Sequence, residues 1–406
     1  MNISRRGFVK TAGAVVGSLA GSLLLPGMAR SNTAPPIKIG WAISKTGPFA
    51  AGANATQLPN YKLWVADVNA AGGILLNGQK RLLQAVEYDD RSQPEEALRA
   101  VDRLINQDKV DFILPPWGTG QNMAVAASLA RGNFPHIAPS FITERMPELV
   151  KRWPNVFSLL QASAPYGQAI VDVLQTLRKA NTIGNRVAIV NVTDQGGIEL
   201  FRAARAALRE ASFEIVYEAG YPIGSQDLST IVAAAQQRQP DAFLAFSYPP
   251  DTLALTEAAQ VRGFNPAVFY LGVGTALPLY RQKFGAAAQG VMGPGGWNPD
   301  TPAIQSYIQR HQALNGTLPD HWVSTLCYAG LQALQQAIEA VGSLNRPAII
   351  QRLASDTFDT LSGPLRFENN ILKDGWLVGQ WQGDTFRAIA PGRSGAAAVI
   401  AKPRWV

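Results

Sequence analysis

Cysteine is nearly missing from this chain of 406 residues. Cys327 stands alone, which excludes an internal disulfide and any cysteine-built metal site. Histidine is almost as scarce, and His136, His311 and His321 lack the spacing of a metal-ligand set. His321-Trp322 lies in a mostly apolar helical region and reads as structural. Catalytic signatures are missing as well: GxSxG, HExxH, GxxxxGK[ST], CxxC and GxGxxG do not occur. The acid pairs Asp89-Asp90 and Glu95-Glu96 follow a strand or open a helix, where solvated capping explains them. Basic residues are scattered, with no Lys/Arg block interleaved with aromatics, so a nucleic-acid partner is not expected. No hydrophobic run reaches the roughly 20 residues of a membrane span. An enzyme, a metal and a cofactor are therefore all unexpected from the body of the chain.

What is present begins at the N-terminus. Ser4-Arg5-Arg6-Gly7-Phe8-Val9-Lys10 precedes an uncharged Ala/Gly/Val/Leu-rich run from Thr11 to Leu25, the arrangement of a twin-arginine export leader. Passengers of that export machinery leave the cytoplasm already folded. Cleavage is expected after Ala29, leaving 406 − 29 = 377 residues and lowering the net charge from +7 to +4 through loss of Arg5, Arg6 and Lys10. No cysteine follows the apolar run to carry a lipid anchor, so the mature protein is expected free in the periplasm. The leader taken alone also suits an exported enzyme with a bound cofactor. At this length the chain exceeds the ~250 to 300 residues at which one core stops growing, and two domains are expected.

Strand and helix patterns alternate along the body. Ile37 to Ile43 reads as a buried first strand; Leu58, Tyr61, Val65 and Val68 share one helical face, and Gly72-Gly73 stops that helix. Leu82 to Asp89 is a second strand. Ser92-Gln93-Pro94-Glu95 reads as an N-cap with its capping-box glutamate, opening a helix with Ala97, Val101, Leu104 and Ile105 on one stripe. Val110 to Leu114, Arg186 to Val192, Phe213 to Tyr217, Asp241 to Tyr248 and Val268 to Val273 read as further strands. Helices are expected over Gln121 to Arg131, Ile198 to Ala211, Leu228 to Gln237 and Leu253 to Val261. The pattern then turns helical over Ile304 to Ala313, Ser324 to Val341 and Pro347 to Leu353, before short strands near Leu365 and Leu377. The fold class is α/β, with mostly parallel sheets flanked by helices. No Pro/Ser-rich linker separates two domains in series.

In such sheets ligands bind beyond the carboxyl ends of the strands, where helix N-termini present free N–H groups. The loops there are small, hydroxylic and aromatic, with almost no charge. Thr119, between Gly118 and Gly120 at the start of a helix, suits either an anion site or an ordinary N-cap. Tyr248, before Pro249-Pro250, faces the crevice or packs over the sheet edge. Trp117 and Trp297 are core or site residues, each beside Gly or Pro in a loop.

The run from Ile37 to Pro48, followed by Val65-Ala66-Asp67-Val68-Asn69-Ala70-Ala71-Gly72-Gly73-Ile74, resembles the Leu/Ile/Val-binding family of periplasmic substrate-binding proteins. Tyr88-Asp89-Asp90, Leu104 to Val110, and Leu361-Ser362-Gly363-Pro364-Leu365-Arg366-Phe367 are similar to further segments of that family, in the same order. The resemblance implies a two-lobed, type I periplasmic binding fold whose chain crosses between lobes three times and closes on a ligand by hinge motion. By analogy the crossings fall near Gln161, Pro294 and Gly363. Residues 36–160 with 295–362 then form one lobe, and 161–294 with 363–406 the other.

The resemblance also implies a ligand site. Thr119 matches the hydroxyl that holds an amino-acid carboxylate. Ser140 begins a second loop, where Ile142 stands in a common threonine position with Thr143 beside it. Tyr248 matches a tyrosine facing the ligand; Gln195 or Gly196 falls where an aromatic is frequent. Gly274 occupies the position of the acid that binds the ammonium, which disfavours an α-amino acid because an unpaired buried charge is costly. Phe49, Trp117, Phe141, Tyr166, Tyr248 and Trp297 favour instead an apolar or aromatic carboxylate, whose buried ring contributes roughly 4 to 6 kcal/mol. The implied role is a monomeric carrier that hands a small molecule to the membrane permease of an ABC transporter, with a ligand-sensing subunit as the alternative.

Overall fold

The computed structural model describes residues 34–297, 301–373, 375–391 and 394–405. The leader expected over residues 1–29 lies outside them. The buried run Ile37–Ile43 forms strand β1, and its apolar character on both faces is what a central parallel strand requires. It pairs in parallel with β4 (Leu83–Asp89) and β5 (Phe112–Leu114), Trp41 lying opposite Glu87 and Leu114. Helix α1 (Ala50–Ala70) follows β1, and a hairpin of β2 (Ile74–Leu76) and β3 (Gln79–Arg81) leads into β4. Gly72 and Gly73 end α1 as expected. Gly73 has φ +104°, and a Cβ there would lie 2.2 Å from the Arg81 carbonyl oxygen, so the hairpin can fold back only over a glycine.

Helix α2 (Pro94–Asn106) precedes β5, and α3 (Thr119–Arg131) follows it. The chain continues through β6 (His136–Ala138), α4 (Met146–Arg152) and β7 (Val156–Ser158). It then passes to a second sheet through α5 (Ser163–Lys179) and β8 (Arg186–Val192), continuing as α6 (Gln195–Glu210), β9 (Glu214–Tyr221) and α7 (Ser229–Gln237). Strand β10 (Ala242–Phe246), helix α8 (Pro249–Val261), β11 (Val268–Leu271), α9 (Pro278–Phe284) and β12 (Met292–Gly293) complete that pass. Every residue of β10 is buried, as its position inside the sheet demands.

Helices α10 (Pro302–Asn315) and α11 (Val323–Val341) then pack back onto α1, and α12 (Arg346–Ser355) packs on α11. Strands β13 (Thr357–Thr360), β14 (Gly363–Glu368) and β15 (Ile371–Leu372) form one sheet with β7 and β6, in the order β13-β14-β15-β7-β6. The chain returns to the second sheet as β16 (Gly379–Gln382) and β17 (Thr385–Ala388), giving the order β17-β16-β12-β11-β10-β8-β9. From Pro35 onward these sheets and helices pack into one unit.

Two local expectations change. Ser92 is not the cap of α2: Gln93 holds that position without a side-chain bond. The Ser92 hydroxyl instead accepts from the Phe49 N–H (3.0 Å) and donates to the Thr46 carbonyl (2.7 Å), tying the loop after β1 to the end of β4. Asp90 is fully buried rather than solvated. It accepts from the Ser44 hydroxyl at 2.6 Å, and burial pushes its carboxyl up to about 6.

Candidate functional site

The site grows from the loops at the carboxyl ends of β1, β5, β8 and β10. With its loop anchored by Ser92, Phe49 packs on Trp117, ring centroids 5.5 Å apart. The Trp117 indole donates to Thr56 at 3.0 Å and lies against Gly52 of α1, where a Cβ would come within 2.4 Å of the ring. Tyr248, the residue before α8, completes the cluster at 5.3 Å from Phe49 and 5.5 Å from Trp117. The three rings thus bring side chains of the two sheets into contact, and all are at least nine-tenths buried.

Behind the rings lies the start of α3. Gly118 takes the cap position with φ 98°, so no side chain covers the helix end. Its N–H donates to the Ser140 hydroxyl at 3.1 Å, and Ser140 donates in turn to Gln57 Oε1 at 2.8 Å. Gln57 is itself fixed on the Pro115 carbonyl at 2.7 Å. Thr119 donates to the Ile142 carbonyl at 3.0 Å and receives the Ile142 N–H at 3.4 Å, joining the two loops. Among the described residues none accepts from the N–H groups of Thr119, Gly120 or Gln121, the unpaired donors expected of an uncapped helix start.

Opposite stands α6, whose N-cap Asp194 accepts from Gly197 N at 2.8 Å, Gly196 N at 3.4 Å and the Tyr248 hydroxyl at 2.7 Å. Burial raises the Asp194 carboxyl above its ordinary value, against the lowering effect of these bonds. The two helix starts approach closely: a Cβ on Gly196 would lie 3.1 Å from the Tyr248 hydroxyl and 3.3 Å from Thr119 Oγ1.

Between them lie two adjoining cavities. The first is bordered by Trp117, Gly118, Thr119 and Ser140 on one side and by Gly196, Leu200 and Val273 on the other. The second runs deeper, past Tyr166, Val192, Phe246 and Tyr270 to Pro294. Ile142, Leu200, Tyr248, Val273 and Trp322 border both. Among the described residues no charged side chain lines either one.

Of the residues singled out in the sequence, Trp117, Gly118, Thr119, Ser140, Ile142, Tyr166, Gly196 and Tyr248 line these cavities, and Phe49 backs the aromatic cluster. The others lie elsewhere. Phe141 is buried in a separate core with Met146 and Leu149 and stacks on His136. Thr143 accepts from the Arg145 N–H at 3.2 Å, inside its own turn. Gln195 is exposed and bonds to Glu199. Trp297 borders a different cavity, with Thr325 and Leu361. Gly274 sits behind the wall with φ +115°, where a Cβ would lie 2.8 Å from the Pro249 backbone, and its neighbour Val273 faces the space instead.

Sequence reading missed Trp322, Tyr270, Val273 and Leu200. Trp322 had a signal: Asp320 accepts from the N–H groups of Trp322, Val323 and Ser324 at 2.7 to 3.0 Å, capping α11 and fixing the indole just before the helix. Burial pushes His136 down to about 3 and His321 down to about 4, and it lowers His311. Among the described residues no His/Cys/Asp/Glu cluster suits a metal ion.

Residues 36–385 match the periplasmic binding protein family. The leucine-specific-binding protein of Salmonella typhimurium is 24% identical over 366 residues, covering 88% of this chain and 94% of that protein. A branched-chain amino acid transporter substrate-binding protein of Streptococcus pneumoniae, solved with isoleucine, superposes with a TM-score of 0.74 at 21% identity, over 88% of this chain and all of that one. An ABC-transporter solute-binding protein of R. palustris, solved with benzoate, gives 0.73 at 19% identity, over 87% and 96%. The fold is therefore that of type I periplasmic binding proteins, and the chain belongs to the periplasmic binding protein family.

Proposed function

We propose that the protein binds a small apolar or aromatic carboxylate in the cavity between α3 and α6 and delivers it to the permease of an ABC importer. The uncapped start of α3, opening on an uncharged and aromatic-lined space, carries this reading. Unpaired N–H groups and the positive dipole end suit a carboxylate, while Trp117, Tyr248 and Trp322 suit a ring. The benzoate complex of the R. palustris neighbour supports such a ligand on this fold.

An α-amino acid fits less well. Its ammonium needs a carboxylate, and the one nearest the helix start, Asp194, is committed to capping α6 and to Tyr248. The cavity-lining residues offer no other. Capture proceeds by hinge closure of two lobes, one per sheet group, with crossings near Gln161, near Pro294 and after Leu372. The last lies beyond the Gly363 position inferred from resemblance, because β14 and β15 still pair with β13 and β7. The Glu144 N–H donates to buried Glu199 at 2.7 Å and holds the two sides together. The leader directs the folded protein to the periplasm by the twin-arginine route.

The test is a thermal-shift panel on purified protein. Benzoate and related carboxylates are expected to give the largest stabilisation, by mass action on the folded state. Largest shifts from leucine, isoleucine or valine would overturn the ligand class and the reading of Gly274. Neighbouring genes for a permease and an ATPase distinguish transport from sensing.

A further inference from the structure

The deeper cavity is apolar in outline, but two residues of its lining carry hydrogen-bonding groups left without partners. The Tyr166 hydroxyl and the Trp322 indole N–H are both buried and meet no acceptor. They lie near each other, close enough for the indole to favour the ionised phenol, yet the geometry of a hydrogen bond is not reached and the phenol proton has nowhere to go. Tyr270 lines the same space, near enough to Tyr166 for that phenol to oppose its ionisation. Burial raises both phenols, so each stays protonated and able to donate. The other side-chain hydroxyls on that wall are already used, Ser247 by Thr252 at 2.7 Å and by the Gly272 N–H at 3.1 Å, and Tyr248 by Asp194 at 2.7 Å.

Buried donors are nearly always satisfied in folded proteins, and an unsatisfied one calls for an explanation. This recess is continuous with the cavity at the start of α3 through Ile142, Leu200, Tyr248, Val273 and Trp322. A carboxylate at Thr119 would therefore send the far end of its ring toward Tyr166 and Trp322. Indole N–H groups only donate, so the complementary atom is an acceptor.

We infer that the ligand carries an oxygen acceptor at the end opposite its carboxylate, held by the Tyr166 hydroxyl and the Trp322 indole N–H. This rests on the carboxylate-binding reading above, and it narrows that reading from any apolar ring to an oxygenated one. Recognition by polar groups discriminates sharply, because a ligand lacking the acceptor leaves them unpaired.

Calorimetric titration with benzoate and 4-hydroxybenzoate, on the wild type and on Tyr166→Phe and Trp322→Phe, tests it. Tyr166→Phe removes one oxygen and keeps the ring, and thermal unfolding of each variant verifies that it folds. The expected preference for 4-hydroxybenzoate in the wild type is about tenfold, falling to about one in Tyr166→Phe and weakened in Trp322→Phe. Equal affinity for the two ligands in the wild type overturns the inference and leaves the carboxylate reading standing. A preference that survives Tyr166→Phe overturns it equally. Binding of neither ligand brings down the carboxylate reading, and this inference with it.

Discussion

Two helix starts face each other across the cavity, and the chain finishes them differently. At α6 a carboxylate of the protein, Asp194, takes the N–H groups of Gly196 and Gly197. At α3 the cap is Gly118, and the N–H groups of Thr119, Gly120 and Gln121 are left open. Both helices carry the positive end of a dipole toward the same space. The protein neutralises one itself and leaves the other open, the place where the proposed carboxylate would bind. A Cβ on Gly196 would lie only 3.3 Å from Thr119 Oγ1, so the difference is drawn between near neighbours.

Giving α3 the cap that α6 already has is the strongest way to break this contrast. Gly118→Asp places a carboxylate where the ligand's should sit and is expected to weaken benzoate binding more than about 100-fold, through lost charge-assisted bonds and like charge. Because Gly118 has φ 98°, thermal unfolding of the variant separates backbone strain from lost binding. Thr119→Ala is milder, with an expected loss of about 1 to 2 kcal/mol by calorimetry. Unchanged affinity would make Thr119 merely the tie to Ile142.

On the α6 side the effect is smaller and appears in stability. Burial is the largest influence on Asp194 and raises its carboxyl. The folded state then holds the proton more tightly than the unfolded chain, so this group's contribution to stability is fully present in acid. It is lost as pH rises through the raised value. Asparagine caps about as well as aspartate, so Asp194→Asn is expected to keep the helix start and flatten that decline. Thermal unfolding from acid to neutral pH measures it, and an unchanged profile would remove Asp194 from the account.

The alternation of apolar runs and helical stripes made most of the second sheet legible: β8 spans Arg186–Val192, the range its β-branched run predicts. The stretch between α3 and β8 was not legible. Strands β6 and β7 have three residues each, too short for a period to register. Helix α5 carries Gly167 where a Cβ would fall 2.7 Å from the Ala203 backbone on α6, so packing between helices, not propensity, placed that residue. The mouth of the site was readable because glycines, a hydroxyl and aromatics cluster in its loops. Trp322 and Tyr270 were not, since only tertiary packing brings the approach to α11 and strand β11 to one wall. Gly274 was read as standing in the position of an ammonium-binding acid; its φ of +115° favours glycine, and its neighbour Val273 lines the cavity.

A crystal structure of the protein with benzoate tests the central claim most directly. The account predicts both carboxylate oxygens within hydrogen-bond distance of the N–H groups at the start of α3, with Thr119 beside them and the ring between Trp117, Tyr248 and Trp322. A carboxylate seated elsewhere, with those N–H groups left to solvent, would contradict it.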